Sequence, residues 1–479
     1  MRILLADWTG KDLGLVETAR VLRASHDIVY WTCGNVETEI DPREFPNTVL
    51  HEHADAVEGI PAKVLSGLLI PPPGAELLDK LSDAESVVLT MMNKHFEEMG
   101  IMERKHLYTR MVGYWDVVLK RYRPEAILFP TVPHNAYDFV IYSLAKHYGI
   151  RTLMFELTWV QSRMYILDDY RMCPDRIAKT LHAQKGKTFS LDLLPEDLQK
   201  EYRTQTGSAT DATPIYLKQT KNAYSGMRLI KAKVASLLGA LRRSDFSVVG
   251  KLASYPFRQF VPDRKSEYER VTVLPDFTKK SVYVALQYQP ERTSCPQGGQ
   301  FVDQILMVEM LSATLPDGWV IHVKEHPAEW WYRGLSYFSY RFKGYYERLA
   351  RLPGVRVVPM ETSTYELTKH AEVVATLRGT AGWEAIMRQK PVLVFGYPWY
   401  WYAPGTFLVR DSASCSSAFA NIRTGRTSNE ADILRYLSLL SEVTFPGYVD
   451  AYGKKIFPIS PEQNGKNLAR ELERNLIAV

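Results

Sequence analysis

The sequence predicts an α/β fold built from two Rossmann-like domains that face each other across a cleft. Three observations predict it. Short apolar runs alternate with helix-period stretches near the N-terminus, the alternation fades between about 180 and 275, and it returns at Ser281 and runs on to Phe395. Such alternation gives parallel strands covered by helices. The 479 residues, 46% hydrophobic and 24% charged, suffice for two large cores and exclude bulk disorder.

Taken in order, Ile3–Ala6 reads as a strand. A loop with Gly10 and Gly14, a helix at Leu15–Ala24 and a strand at Asp27–Trp31 follow. Residues 60–122 read as mostly helical, interrupted by Pro71-Pro72-Pro73-Gly74. Ala126–Phe129, Ala136–Tyr148 and Thr152–Phe155 read as strand, helix and strand, the last ending at Glu156. In the second half the strands are Ser281–Leu286, Val320–Val323, Val355–Val358, Val373–Ala375 and Pro391–Phe395. Helices fit between them at Phe301–Ala313, Phe342–Arg351, Thr364–His370 and Gly382–Arg388. The expected division is a first Rossmann-like domain over 1–205, a basic helical linker over 206–278, and a second Rossmann-like domain over 279–460. A last helix within 461–479 is expected to cross back to the first domain.

The net charge of +5 is small for this length, but it is not spread evenly. Residues 215–265 hold eleven Lys and Arg against Asp245 and Asp263, a local +9 that leaves the rest of the chain near −4. Met227, Ile230, Val234, Leu237, Leu238 and Leu241 recur there at three- and four-residue steps, giving one apolar helix stripe beside cations. Such a stripe either packs on the protein or lies on an anionic membrane surface. No nucleic-acid motif accompanies the charge, so no nucleic-acid partner is expected. The four cysteines are far apart, without zinc spacing. The first residues do not read as a leader peptide, and no run of 18 apolar residues occurs. The expectation is a cytoplasmic protein, with the inner face of the membrane as its one alternative address.

Three polar loops follow strands of the second domain. The first, Gln287 to Gly299, carries Gln289, Arg292, Thr293 and Ser294 ahead of a helix. The second is Lys324-Glu325-His326-Pro327, and the third is Thr376-Leu377-Arg378-Gly379-Thr380-Ala381-Gly382-Trp383-Glu384. Each alone reads equally as an ordinary connection or helix cap. Together they meet at the carboxyl edge of one sheet, where ligands of open α/β sheets bind and helix N-termini favour anions. A nucleotide phosphate is the anion they suit. No Asp-x-Asp pair occurs, so neither a metal nor another cofactor is expected. Leaving-group charge would fall to Lys324, Arg378, hydroxyls and helix dipoles.

The motifs Tyr288-Gln289-Pro290-Glu291 with Gly298-Gly299, Lys324-Glu325-His326-Pro327, Gly379-Thr380-Ala381-Gly382-Trp383-Glu384-Ala385 and Lys390-Pro391-Val392 resemble the capsule polysaccharide biosynthesis glycosyltransferases. That group includes the Kdo transferases of capsule and lipopolysaccharide assembly. The resemblance implies the GT-B fold, with the donor nucleotide in the second domain and the acceptor in the first. The His326-Pro327 pair is also similar to a cytidine-contacting motif of GT-B sialyltransferases, and that resemblance implies that His326 and Pro327 meet the nucleotide, Thr380 the phosphate and Glu384 the ribose. Arg378-Gly379-Thr380 stands where a Ser-rich loop is expected. The implied function is transfer of a sugar, with a CMP-linked acid sugar such as Kdo first, to a growing surface polysaccharide or glycolipid. The expected partners are a nucleotide-sugar donor, a saccharide or lipid-linked acceptor, and an anionic membrane surface met by 215–265. The rival readings are a CDP-alcohol phosphotransferase on the same fold and a non-catalytic scaffold of envelope assembly.

The first domain should supply the catalytic base. Asp138 and His134 follow the strand Ala126–Phe129, Glu156 ends the strand Thr152–Phe155, and Asp7 follows the first strand. The structural readings beside these are helix capping for Asp138 and His134 and an ion pair with Arg163 for Glu156. His51-Glu52-His53 places two imidazoles on one face if the strand continues, but it reads better as an exposed strand end than as a metal site. Aromatic residues crowd 330–346 and 397–402, where rings could stack on a sugar or pack a cleft wall.

Overall fold

In the computed structural model the structure describes residues 1–477 except 97, 161, 208–263, 290, 331–339 and 426–427. The basic segment 215–265 therefore lies outside the described residues, save Arg264 and Lys265 at the start of the helix Arg264–Val271.

Two sheets carry the fold. The first holds β1 (Arg2–Leu5), β2 (Asp27–Cys33), β3 (Val49–Glu52), β4 (Ala126–Phe129), β5 (Arg151–Leu157) and β6 (Arg163–Leu167). The second holds β7 (Ser281–Ala285), β8 (Val320–Lys324), β9 (Val355–Val357), β10 (Val373–Thr376), β11 (Val392–Val394) and β12 (Thr406–Leu408). The late strand β13 (Phe445–Pro446) returns to the first sheet, antiparallel to β6.

The strand orders locate the ligand-binding edges. The first sheet runs β13-β6-β5-β4-β1-β2-β3, and β5 through β3 are parallel. The second runs β12-β11-β10-β7-β8-β9 and is parallel throughout. Each chain path starts in mid-sheet, winds outward, returns and winds the other way. This is the doubly wound Rossmann order, and its ligand crevice opens where the direction reverses. In the first domain that point lies between β1 and β4, and in the second between β7 and β10.

Packing follows the two-residue period of the strands. Ile3, Leu5, Leu128 and Phe155 face one side, against Leu15 and Ala19 of the helix Leu15–Leu22 and Leu468 and Leu472 of the helix Pro461–Ile477. Leu4, Ile127 and Met154 face the other, with Tyr30, Tyr137 and Trp115. That second cluster continues into the other domain through Val374, Trp383, Val392 and Trp399, so the domains share apolar core. The C-terminal helix lies on the first domain. Asn464 Nδ2 donates to Leu13 O at 2.9 Å, and a Cβ on Gly14, at φ 79°, would sit 2.1 Å from Pro461 O. Only glycine allows that approach.

His51 and His53 do not share a face. β3 stops at Glu52 and a short helix begins at His53. His51 is buried, with Nδ1 on Tyr30 Oη at 2.8 Å and Nε2 on Ile60 O at 2.9 Å. Burial pushes its pKa down to about 4, which overturns the exposed strand end. Among the described residues no helix is long and apolar enough to cross a membrane, and no His, Cys, Asp and Glu group is placed to hold a metal.

Candidate functional site

The carboxyl edges of the two sheets meet through Glu156 and Arg378. Glu156, near the carboxyl end of β5, is 2% exposed and reaches the second domain. It accepts a hydrogen bond from Arg378 Nη2 at 2.8 Å and another from Gln297 Nε2. Arg163 pairs instead with Asp197, Nη2 to Oδ1 at 3.1 Å. The expected Glu156–Arg163 pair is thus replaced by an ion pair between domains. With its carboxylate held by Arg378, Glu156 is not a free base.

Arg378 follows β10 and Arg292 follows β7, so both come from the switch point of the second sheet. Arg378 is buried, donates from Nε to Tyr397 O at 2.9 Å, and leaves Nη1 buried with no partner among the described residues. Arg292 Nε is likewise buried, with no partner among the described residues. Burial lowers the Arg292 pKa from its ordinary value, and the charge of Glu156 opposes that shift. Gln297 Oε1 also has no partner among the described residues. Two guanidinium groups with donors to spare converge near one carboxylate. Buried donors of this kind are normally satisfied, and an incoming anion would satisfy them.

The neighbouring loops are fixed by packing. Gln287 Nε2 donates to Thr376 Oγ1 at 3.1 Å, and Gly379 lies so close that a Cβ there would meet Gln287 Nε2 at 2.4 Å. Gly379 caps the helix Thr380–Met387, whose first turn carries half-buried Thr380 and, further along, half-buried Glu384. Tyr400 Oη donates to Gly379 O at 3.2 Å, while Trp399 packs on Trp383 at 4.9 Å between ring centres. The aromatic loop 397–402 thus packs the wall beside this helix and offers no free stacking face at Trp399 or Tyr400.

Arg341 ties the first two loops together. Its side chain is wholly buried and pairs with Glu325, Nε to Oε2 at 2.9 Å. It also donates to Gln289 Oε1 at 2.8 Å and Gln287 O at 2.9 Å. Gln289 is therefore a brace and not a ligand contact, since its Nε2 donates to Val302 O at 2.6 Å. Lys324 is also engaged, Nζ donating to Thr362 O at 2.6 Å, and burial pushes its pKa down to about 8. His326 is half-buried against Tyr288, with ring centres 6.1 Å apart. Its Nδ1 accepts from Ala328 N–H at 3.2 Å, so Nε2 carries the proton and can donate. Burial pushes its pKa down to about 4. Pro327 is exposed at the start of the next turn.

In the first domain Asp138 is buried and accepts from Asn135 N at 2.8 Å and Asn135 Nδ2 at 3.2 Å. It is the third residue of the helix Ala136–Tyr148 and completes a capping box with Asn135, and burial with the adjacent Asp7 charge raises its pKa well above the carboxylate range. That answers the expectation of a catalytic Asp138: it reaches no open space. His134 donates Nδ1–H to Val132 O at 3.0 Å. Burial and the charges of Lys94 and Arg292 push its pKa down to about 4, making it a poor proton acceptor. Asp7 does reach other groups. Its carboxylate contacts His53 Nδ1 at 2.8 Å, Asn135 Nδ2 at 3.1 Å and Tyr137 Oη at 3.3 Å. The reading of an exposed strand end holds for His53, which follows the last residue of β3 and is 34% exposed, and fails for the buried His51.

Comparison with known proteins agrees with the motifs. Residues 267–409 match the model of the capsule polysaccharide biosynthesis protein family, so the resemblance is met over the second sheet and its loops. No curated protein matches the chain. Among solved structures, a beta Kdo 2,7 transferase, KpsC of Thermosulfurimonas dismutans, is 12% identical, with 74% of this chain and 88% of that one covered and a TM-score of 0.30. The beta Kdo 2,4 transferase of the same KpsC is 17% identical over 66% and 87%, with a TM-score of 0.25. A UDP-GlcNAc 2-epimerase from Neisseria meningitidis is 12% identical over 95% and 98%, at 0.23. The scores are too low to carry an argument about mechanism. The fold stands on the topology itself: two Rossmann-like domains in the GT-B manner.

Proposed function

We propose that the protein is a glycosyltransferase of surface polysaccharide or glycolipid synthesis that takes its sugar from a nucleotide donor held at the second switch point. The observation that carries this is the Arg292–Arg378 pair, with buried, unpartnered N–H groups at the crevice where a doubly wound sheet binds phosphate. The capsule family match over 267–409 supports it. The nucleotide lies against His326 and Pro327, the phosphate against Arg292, Arg378 and the helix end at Gly379 and Thr380, and the ribose against Glu384. A CMP-linked acid sugar such as Kdo suits the site first. Its leaving group is a single phosphate, and the two arginines supply charge to it without calling on a metal.

Thermal shifts with CMP, CDP, UDP and GDP test the reading, since a ligand that binds only the folded chain raises its stability. A shift with one of them is expected. Arg292→Gln should weaken that nucleotide by about 10- to 100-fold, the worth of one charged hydrogen bond. No shift with any nucleotide would overturn the assignment.

In this reading the acceptor is a saccharide or a lipid-linked glycan, and the basic segment 215–265 docks on the anionic membrane that carries it. Replacing Lys231, Lys233, Arg242 and Arg243 with Gln should reduce co-sedimentation with phosphatidylglycerol vesicles, each lost cation removing about 1 kcal/mol. A parent protein that does not sediment with them would end that part of the proposal.

A further inference from the structure

Four adjacent parallel strands deliver one cluster to the carboxyl edge of the first sheet. Asp7 follows β1, Thr32 lies near the end of β2, His53 follows β3, and Asn135 and Tyr137 follow β4. Asp7 stands at φ 54°, a left-handed conformation that is uncommon outside glycine. Its N–H is fixed by Thr32 Oγ1 at 2.6 Å. Strained residues of this sort persist where the surroundings over-determine them, and they gather at working sites.

The cluster orients one imidazole. His53 Nδ1 is 2.8 Å from Asp7 Oδ1 and 2.9 Å from Tyr137 Oη. Nδ1 therefore carries the proton of the neutral ring, and Nε2 keeps its lone pair. Nε2 makes no hydrogen bond to a described residue, and the side chain is 34% exposed. The other candidates are committed elsewhere: Asp138 to its helix cap, Glu156 to Arg378, and His51 to Tyr30 and Ile60. Asn135, next to His134, donates to Asp7 Oδ2 at 3.1 Å, and the charges of both Asp7 and Arg292 act on His134. The Asp7–His53 pair thus stands at the carboxyl edge of the first sheet, on the side that feels the charge of Arg292.

We infer that His53 is the base that takes the acceptor's proton, with Asp7 as its positioning residue. The inference rests on the donor reading above. In the step, the acceptor O–H bond breaks and its proton goes to His53 Nε2. The acceptor oxygen forms a bond to the anomeric carbon. The bond from that carbon to the phosphate oxygen breaks, and its electron pair leaves on the phosphate beside Arg292 and Arg378. Asp7 holds the Nδ1–H tautomer and faces the imidazolium as it forms, which is how a carboxylate serves a histidine base.

Nucleotide release from CMP-, UDP- and GDP-linked sugars, with water as the acceptor, tests this in the full chain. His53→Gln is expected to slow release by about 10²–10⁴-fold, the usual worth of a general base. The thermal shift with the corresponding free nucleotide should persist. Asp7→Asn should slow release as well, and His53→Ala should recover part of it when imidazole is added. A structural role would not respond to imidazole. Release at the parent rate from His53→Gln overturns the inference and leaves the donor reading standing, as does joint loss of release and nucleotide binding without imidazole rescue. No nucleotide binding by the parent protein overturns both.

Discussion

Glu156→Ala is expected to destabilise the protein by about 3–5 kcal/mol, the range for removing one partner of a buried ion pair. The reason is a charge imbalance. Glu156 is the carboxylate held by Arg378 Nη2 at 2.8 Å, and its charge also acts on Arg292. Without it two guanidinium groups are left in low dielectric, already short of acceptors. The urea unfolding midpoint measures the loss. Glu156→Ala with Arg378→Met should recover part of it, because the double variant buries one cation fewer. A single variant that costs under about 1 kcal/mol would contradict the ion pair as a structural tie. The same substitution should tighten nucleotide binding, since the carboxylate is the anion a donor phosphate must compete with. Stability lost and affinity gained in one variant would show that Glu156 neutralises the arginines in the place a phosphate would take.

The second domain was the more legible half, for a physical reason. Its parallel strands are buried on both faces, so they read as unbroken runs such as Val373–Ala375 and Pro391–Phe395, each closed by a polar loop. The expected helix Thr364–His370 appears at those bounds, and the helix expected at Gly382–Arg388 starts two residues earlier, capped by Gly379. The family match falls on the same stretch. Partners were less legible than elements. The sequence offers Glu156 a partner in Arg163, seven residues away, but it pairs with Arg378, 222 residues away. No pattern in the sequence encodes a contact between domains. Gln289 reads as a ligand until Arg341 and Val302 are seen to occupy its amide. In the first domain Asp7 was visible as a carboxylate at a strand end, and Asp138 as a helix cap. His51 and His53 read together as an exposed strand end, and only His53 is one. The end of β3 at Glu52 leaves His51 in the core and His53 partly exposed beside Asp7.

Arg341→Met should be the most damaging single change to the donor site. Arg341 touches no ligand in this arrangement; it acts through the loops it joins. Its guanidinium spans Glu325, Gln289 Oε1 and Gln287 O, while Glu325 also takes Tyr346 Oη at 2.8 Å and His326 N at 2.6 Å. One buried cation therefore sets the backbone of the loop after β7 and of the loop after β8, where His326 sits. Removing it leaves the Glu325 carboxylate buried and uncompensated, at a cost of about 3–5 kcal/mol. The lost geometry should abolish the nucleotide-induced thermal shift even below the new unfolding midpoint. Arg341→Lys separates charge from shape. Lysine keeps the cation but not the planar fork, so it can meet Glu325 without also reaching Gln289 and Gln287. Its expected result is stability near the parent's with nucleotide binding reduced by about tenfold or more, the loss of one charge-assisted hydrogen bond. If Arg341→Lys binds nucleotide as the parent does, charge alone suffices and the fork does not hold the two loops in register. If Arg341→Met keeps its nucleotide shift, the loops after β7 and β8 do not form the donor site.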